Sequence, residues 1–197
     1  MSLTRERDGR KWRIGAQDDV RWIFDKTQST REIVSAIPPV FAAYATLVLP
    51  HSLGAEAKER HHRGVVSVLE AHSEAEPWWL GYLDTGVSEI VFPGVPMVRN
   101  HVGWDYVLVE AGPEQAAGWR PDPLEHRGPL PDLIFPANRS WLFSTLWDDD
   151  WSCIGGSEEL ISDFENHPAF QYPSDPGPRV GRVSLGEDAT PPGHTSY

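Results

Sequence analysis

LIFPANRSWLFSTLWDDDWSCIGGSEELISDF, residues Leu133 to Phe164, reads as strand, acidic turn, strand, glycine pair and helix. Trp141 to Trp147 and Trp151 to Ile154 form a hairpin candidate across Asp148-Asp149-Asp150, because β-branched and aromatic residues flank a short polar connection. Gly155-Gly156 then hands the chain to Ser157, a helix cap. Leu160, Ile161 and Phe164 follow at helical spacing and face the core, and Asn166-His167-Pro168 ends the helix.

Upstream, Trp104 to Glu110 (WDYVLVE) is the strongest strand, apolar on both sides, and Pro77 opens another, WWLGYLDTG, whose turn is Asp84-Thr85-Gly86. Ala43 to Leu49 is a buried strand, and short strands are expected at Glu89 to Phe92 and Met97 to Asn100. Helices are expected after Asp18 and Asp19, after Ser29 with its capping-box partner Glu32, over Ala55 to His72, and over the PEQAAGW segment that begins at Pro113. Arg179 to Leu185 can form one small strand. These elements describe an α+β protein with a largely antiparallel sheet of roughly five or six short strands and three to five helices. The domain covers residues 18–171, between a charged N-terminal arm (1–17) and a Pro/Gly-rich C-terminal tail (172–197).

The formal charge of −12 disfavours nucleic acid, whose binders carry a basic face. A single cysteine, Cys153, excludes an internal disulfide framework and suits a reducing cytoplasm. The weakly polar run from Ile33 to Leu53 is broken by Pro38, Pro39 and Pro50, so no membrane span is expected. Nine Trp, seven Phe and five Tyr are many for 197 residues and supply either a large core or an aromatic pocket.

IPPVFAAYATLVLP, LEAHSEAEPWWLGYLDTG, YVLVEAGPEQAAGW and the segment from Leu133 together resemble a family of uncharacterised actinobacterial proteins. The resemblance rests on Pro38, Pro39, Phe41, Tyr44 and Ala45, on Trp79, Gly81 and Asp84, and on Tyr106, Leu108 and Glu110. It continues through Pro136, Arg139, Trp141 and Gly155-Gly156-Ser157. It implies no activity, cofactor or site.

Candidate chemistry is sparse. Asp148, Asp149 and Asp150, between Trp147 and Trp151, can grip a cation, but they lack the spaced ligands and glycine of a calcium loop, and a solvated turn is the plainer reading. Gly155-Gly156-Ser157 can attract an anion at a helix start, though Glu158 and Glu159 oppose it and a cap suffices. Arg139 can pair with Asp84, Glu110 or the acidic turn. His61, His62 and His72 lack zinc spacing, and His101 acts as a base only if folding brings a nucleophile beside it. Trp78 and Trp79 must face opposite sides of their strand, which leaves one of them able to line a pocket.

No metal or cofactor is called for, and no catalytic pattern stands out. The expectation is therefore an acidic, cytoplasmic protein-binding module, regulatory or immunity-like, which meets a protein partner or a second copy of itself. The alternative is a small-molecule hydrolase with an aromatic-lined pocket. The candidate binding residues are Trp79, Asp84, Arg139, Trp147, Asp148 and Asp150.

Overall fold

A computed structural model describes residues 3–30, 32–48, 54–85, 90–101, 103–120, 130–146, 151–171 and 180–187. In chain order the elements begin with β1 (Thr4–Arg7), β2 (Arg10–Ile14), α1 (Gln17–Phe24), a 3-10 turn (Ile33–Ser35), β3 (Ala43–Val48) and α2 (Ala55–Ala71). Next come β4 (Trp78–Leu83), β5 (Val98–Asn100), β6 (Trp104–Ala111), α3 (Pro113–Gly118), β7 (Leu133–Pro136) and β8 (Leu142–Ser144). The last are β9 (Trp151–Gly156), α4 (Glu158–Asn166), a second 3-10 turn (Pro168–Phe170) and β10 (Val180–Arg182). No helix among the described residues is long and apolar enough to cross a membrane.

The strands form one antiparallel sheet in the order β1-β2-β6-β4-β7-β8-β9-β3-β10, and β5 pairs with β6 beside β2. The sheet has ten strands rather than five or six. The extra ones come from short segments with weak local signals. Thr4–Arg7 and Arg10–Ile14, assigned by sequence to a charged arm, form a hairpin whose second strand pairs Arg13 with Glu110 and Ile14 with Val109. Its turn is Asp8-Gly9, with φ of 53° and 71°, a two-residue connection that matches strand twist. Leu133–Pro136 is a separate strand that pairs with both β4 and β8.

Two other expectations change. The Ser29–Glu32 signal leads only to the 3-10 turn, since Ile33, Ala36 and Ile37 are all fully buried and Pro38-Pro39 stops the run. The described part of the Glu89–Phe92 segment is irregular, although Val91 and Phe92 are buried.

Alternation along β4 and β6 explains the architecture. Trp78, Leu80 and Tyr82 join Val107 and Val109 on one face, and Trp79 and Leu83 join Tyr106 and Leu108 on the other. Both faces are therefore apolar and both must be covered, which is why these strands read as unbroken hydrophobic runs. Helices α2, α3 and α4 cover the first face through Val65, Leu69, Ala116, Leu160, Ile161 and Phe164. The second face lies under Val20 and Ile23 of α1 and under Ile33, Ala36 and Ile37.

The glycine pair at the end of β9 serves both layers. A Cβ on Gly155 would fall 2.5 Å from Ile37 and Phe41, and one on Gly156 would strike Leu160. Only glycines let a strand pass between those side chains. Ser157 then caps α4, its Oγ accepting from the Leu160 N–H at 3.2 Å.

Candidate functional site

Of the candidate residues, Trp79, Asp84 and Arg139 are spread along β4 and do not converge. Trp79 is buried beneath Arg13, whose guanidinium carbon lies 4.2 Å from its ring centroid, and it stacks on Phe135 at 6.4 Å. It is a core residue and lines none of the clefts described below. Asp84 follows the far end of β4, in a cleft of about 300 Å³ with Thr85, Trp104 and Asp105. Arg139 follows the opposite end, because Trp78 at the start of β4 pairs with Pro136. Six strand residues separate the two ends, roughly 20 Å at about 3.3 Å per residue. Asp84 and Arg139, expected to share a pocket, line two separate clefts. Trp147, Asp148, Asp149 and Asp150 lie outside the described residues.

Of the partners expected for Arg139, the acidic turn lies outside the described residues, Asp84 is at the far end of β4, and Glu110 is otherwise engaged. Glu110 is taken by Arg13 in a bidentate pair, with contacts of 2.7 and 2.8 Å. That hydrogen bond, with Coulomb attraction added, holds the Glu110 carboxyl below its ordinary pKa and raises that of Arg13. Among the described residues neither Arg139 nor Lys26 has a carboxylate against it, whereas Arg63, Arg99, Arg120 and Arg182 each do.

Arg139 and Lys26 both line a cleft of about 540 Å³. Its aromatic wall is Trp22 and Phe41, with Val40 at 45% exposure beside them. The Arg139 guanidinium lies 5.5 Å from the Trp22 ring centroid, a cation–π distance. Trp22 meets Phe41 and Phe135 edge-on at 6.2 and 5.5 Å, so the wall is anchored in the second-face core. Tyr44 fixes Phe41 from behind: its hydroxyl accepts from the Phe41 N–H at 2.9 Å and donates to the Phe41 carbonyl at 3.0 Å. Burial raises the Tyr44 pKa, and the backbone bond offsets part of that rise.

The backbone at Arg139 is held in a conformation that non-glycine residues avoid, with φ of 61°. Its N–H donates to the Pro136 carbonyl at 2.9 Å, and the Ser140 N–H donates to Asn138 Oδ1 at 2.9 Å. The Asn138 N–H in turn donates to Glu76 Oε2 at 2.7 Å. The turn is pinned at both ends, and the left-handed residue presents its guanidinium to the cleft. Gly156 and Ser157, where α4 begins, also line the cleft, close to the segment that follows Arg139. Of the acids in that first turn, Glu158 is drawn to Arg182, which also holds Glu165 at 2.9 Å.

A second constellation is internal. Folding does bring a hydroxyl to His101: its Nε2 lies 3.2 Å from Ser144 Oγ. Both residues are buried, at 1% and 0% exposure, which closes this serine–histidine contact to a substrate. Burial lowers the His101 pKa to about 4, partly offset by the Ser35 backbone, so the ring is neutral at pH 7. Next to it, both side-chain polar atoms of Asn100 are buried without a hydrogen-bond partner among the described residues, as is the Tyr106 hydroxyl. Among the described residues no group of three or more His, Cys, Asp or Glu side chains is placed to hold a metal ion.

No family model matches this chain, and neither does any curated protein or solved structure.

Sequence reading missed Trp22, Lys26 and Ser140 as cleft residues. Trp22 carried a usable signal, since on a helix from Gln17 it lies off the stripe set by Val20 and Ile23. An aromatic residue beside such a stripe points toward a rim.

Proposed function

We propose that the protein is a cytoplasmic binding module whose recognition site for a protein partner is the cleft between α1, the turn at Arg139 and the start of α4. The observation that carries this reading is the strained, doubly pinned turn that sets on an aromatic wall a guanidinium with no carboxylate against it among the described residues. Local backbone strain of this kind costs stability and concentrates at binding and catalytic sites. Rigid aromatic and arginine side chains are also the groups that dominate protein interfaces.

The chemistry around the cleft favours binding over catalysis. Trp22, Phe41, Val40, Arg139 and Lys26 offer apolar surface and positive charge. The Ser144–His101 contact, by comparison, sits in the buried interior.

The test is selection of random peptides on the immobilised full chain, with Arg139→Gly as counter-target. Glycine keeps the left-handed backbone and removes the guanidinium. The expected result is an enriched peptide family that the wild-type chain binds at least about tenfold more tightly than the variant, or about 1.4 kcal/mol. An enriched family indifferent to Arg139→Gly, or no enrichment at all, would overturn the reading.

A further inference from the structure

Resting on that reading of the cleft, we infer that the group it takes up is a single carboxylate on the protein partner, an acidic side chain or the chain's C-terminus, with an apolar side chain beside it. Electrostatics points this way. The chain carries 29 acidic residues against 17 Lys and Arg, so acids to pair with are in excess. Even so, Arg139 and Lys26 line one cleft and neither has a carboxylate partner among the described residues.

Stacking does not use up the Arg139 donors. A guanidinium lying against an aromatic face keeps its N–H groups in its own plane, where they can form the paired bonds that fit a carboxylate. The Lys26 ammonium adds a second positive charge, and the start of α4 in the cleft lining adds the positive end of a helix. Arg182 draws Glu158 to itself, which reduces the competing negative charge there.

The same balance sets how much charge fits. Glu159 remains in the first turn of α4, so that helix end keeps some negative charge near the cleft. That charge favours a monoanion over a phosphoryl dianion at this end of the cleft. Val40 and Phe41 then supply the apolar contact next to the anion.

The experiment follows amide NMR spectra of the full chain as sodium benzoate, benzamide or phenyl phosphate is added. Benzoate carries the carboxylate, benzamide is its neutral counterpart, and phenyl phosphate is the dianionic control. Benzoate should shift the amides around Arg139 and Ser157 with a Kd of roughly 10 mM, a weak value suited to so small a ligand. Benzamide should bind at least about fivefold more weakly, and Arg139→Gly and Lys26→Ala should each weaken benzoate by at least about threefold. The spectra also report whether each variant is folded.

Equal binding of benzoate and benzamide, or benzoate shifts that fall elsewhere, would overturn the carboxylate assignment. Tighter binding of phenyl phosphate than of benzoate would replace it with a phosphoryl ligand. The two proposals fail separately: selected peptides that map to the cleft but lack acids refute the carboxylate alone. A peptide selection that stays empty while benzoate binds refutes the protein partner alone.

Discussion

The two faces of the sheet are covered to different depths. Above Trp78, Leu80 and Tyr82 lie three helices, among them the 17-residue α2, and α4 brings in the fully buried Phe164. Above Trp79, Tyr106 and Leu108 there is one eight-residue helix, α1, and a single 3-10 turn. Among the described residues buried polar atoms without partners fall in both layers, the Tyr82 hydroxyl and Trp141 indole under the first face and the Asn100 amide and Tyr106 hydroxyl under the second. The thin layer reaches solvent where Trp22 and Phe41 wall the cleft. A thick apolar layer supplies stability and leaves the thin one free to open onto a cleft beside the strained turn at Arg139.

Removing a large core ring from each layer tests this contrast most severely. Trp78, buried at 1% and edge-on to Trp141 at 5.1 Å, should cost about 3–5 kcal/mol when changed to alanine. Trp22→Ala should cost less than about half of that, because its ring is partly solvated. Urea unfolding of both variants measures the difference, and equal losses would break the comparison.

Acid should destabilise both layers, each through one histidine. The pKa of His61, under the first face, is lowered from 6.5 to about 3, mainly by burial with His62 adding to it, and that of His101 falls from 6.5 to about 4. A lowered folded pKa means that the unfolded chain binds the proton first. The stability present above pH 6.5 is therefore lost as pH falls toward 4 and 3, by on the order of 3 kcal/mol per histidine. His101→Gln should flatten the pH dependence of urea stability by about one proton between pH 6 and 4. An unchanged slope would show that the ring is not held neutral.

Asn100 sharpens the contrast at smaller magnitude. Its buried amide has no partner among the described residues, so Asn100→Leu, nearly equal in size, should raise stability by about 1 kcal/mol in the same assay. A loss of similar size would mean that the amide is satisfied in solution.

Arg139→Gly should have the smallest effect on folding. Relief of the left-handed backbone offsets the lost cation–π contact, each being about 1 kcal/mol, and stability should stay within about 0.5 kcal/mol while binding is lost. A large drop in thermal stability would make Arg139 a structural residue.

Much of the framework was legible along the chain. Apolar runs marked β3, β4 and β6, and the spacing of Leu160, Ile161 and Phe164 marked α4, whose three side chains are buried as expected. The N-terminal hairpin was missed because charged residues surround its one clear signal, Asp8-Gly9. The strand at Leu133–Pro136 is only four residues long, too short for periodicity to separate it from the segment that follows.

The site was less legible than the fold. Arg139 and Trp79 were singled out from sequence, yet one forms part of a cleft and the other is core, and Asp84 lies near the far end of the strand between them.

What this sequence determines by itself is which residues pair locally. Alternation assigns side chains to faces, helical spacing selects a stripe, and two glycines mark where a strand must pass close to its neighbours. Tertiary structure alone decides which charges meet. Arg13 finds Glu110 across 97 positions, and Arg139 is left to stack on Trp22. The order in which strands join the sheet sets those meetings, and that order depends on the whole core closing at once, which no local period records.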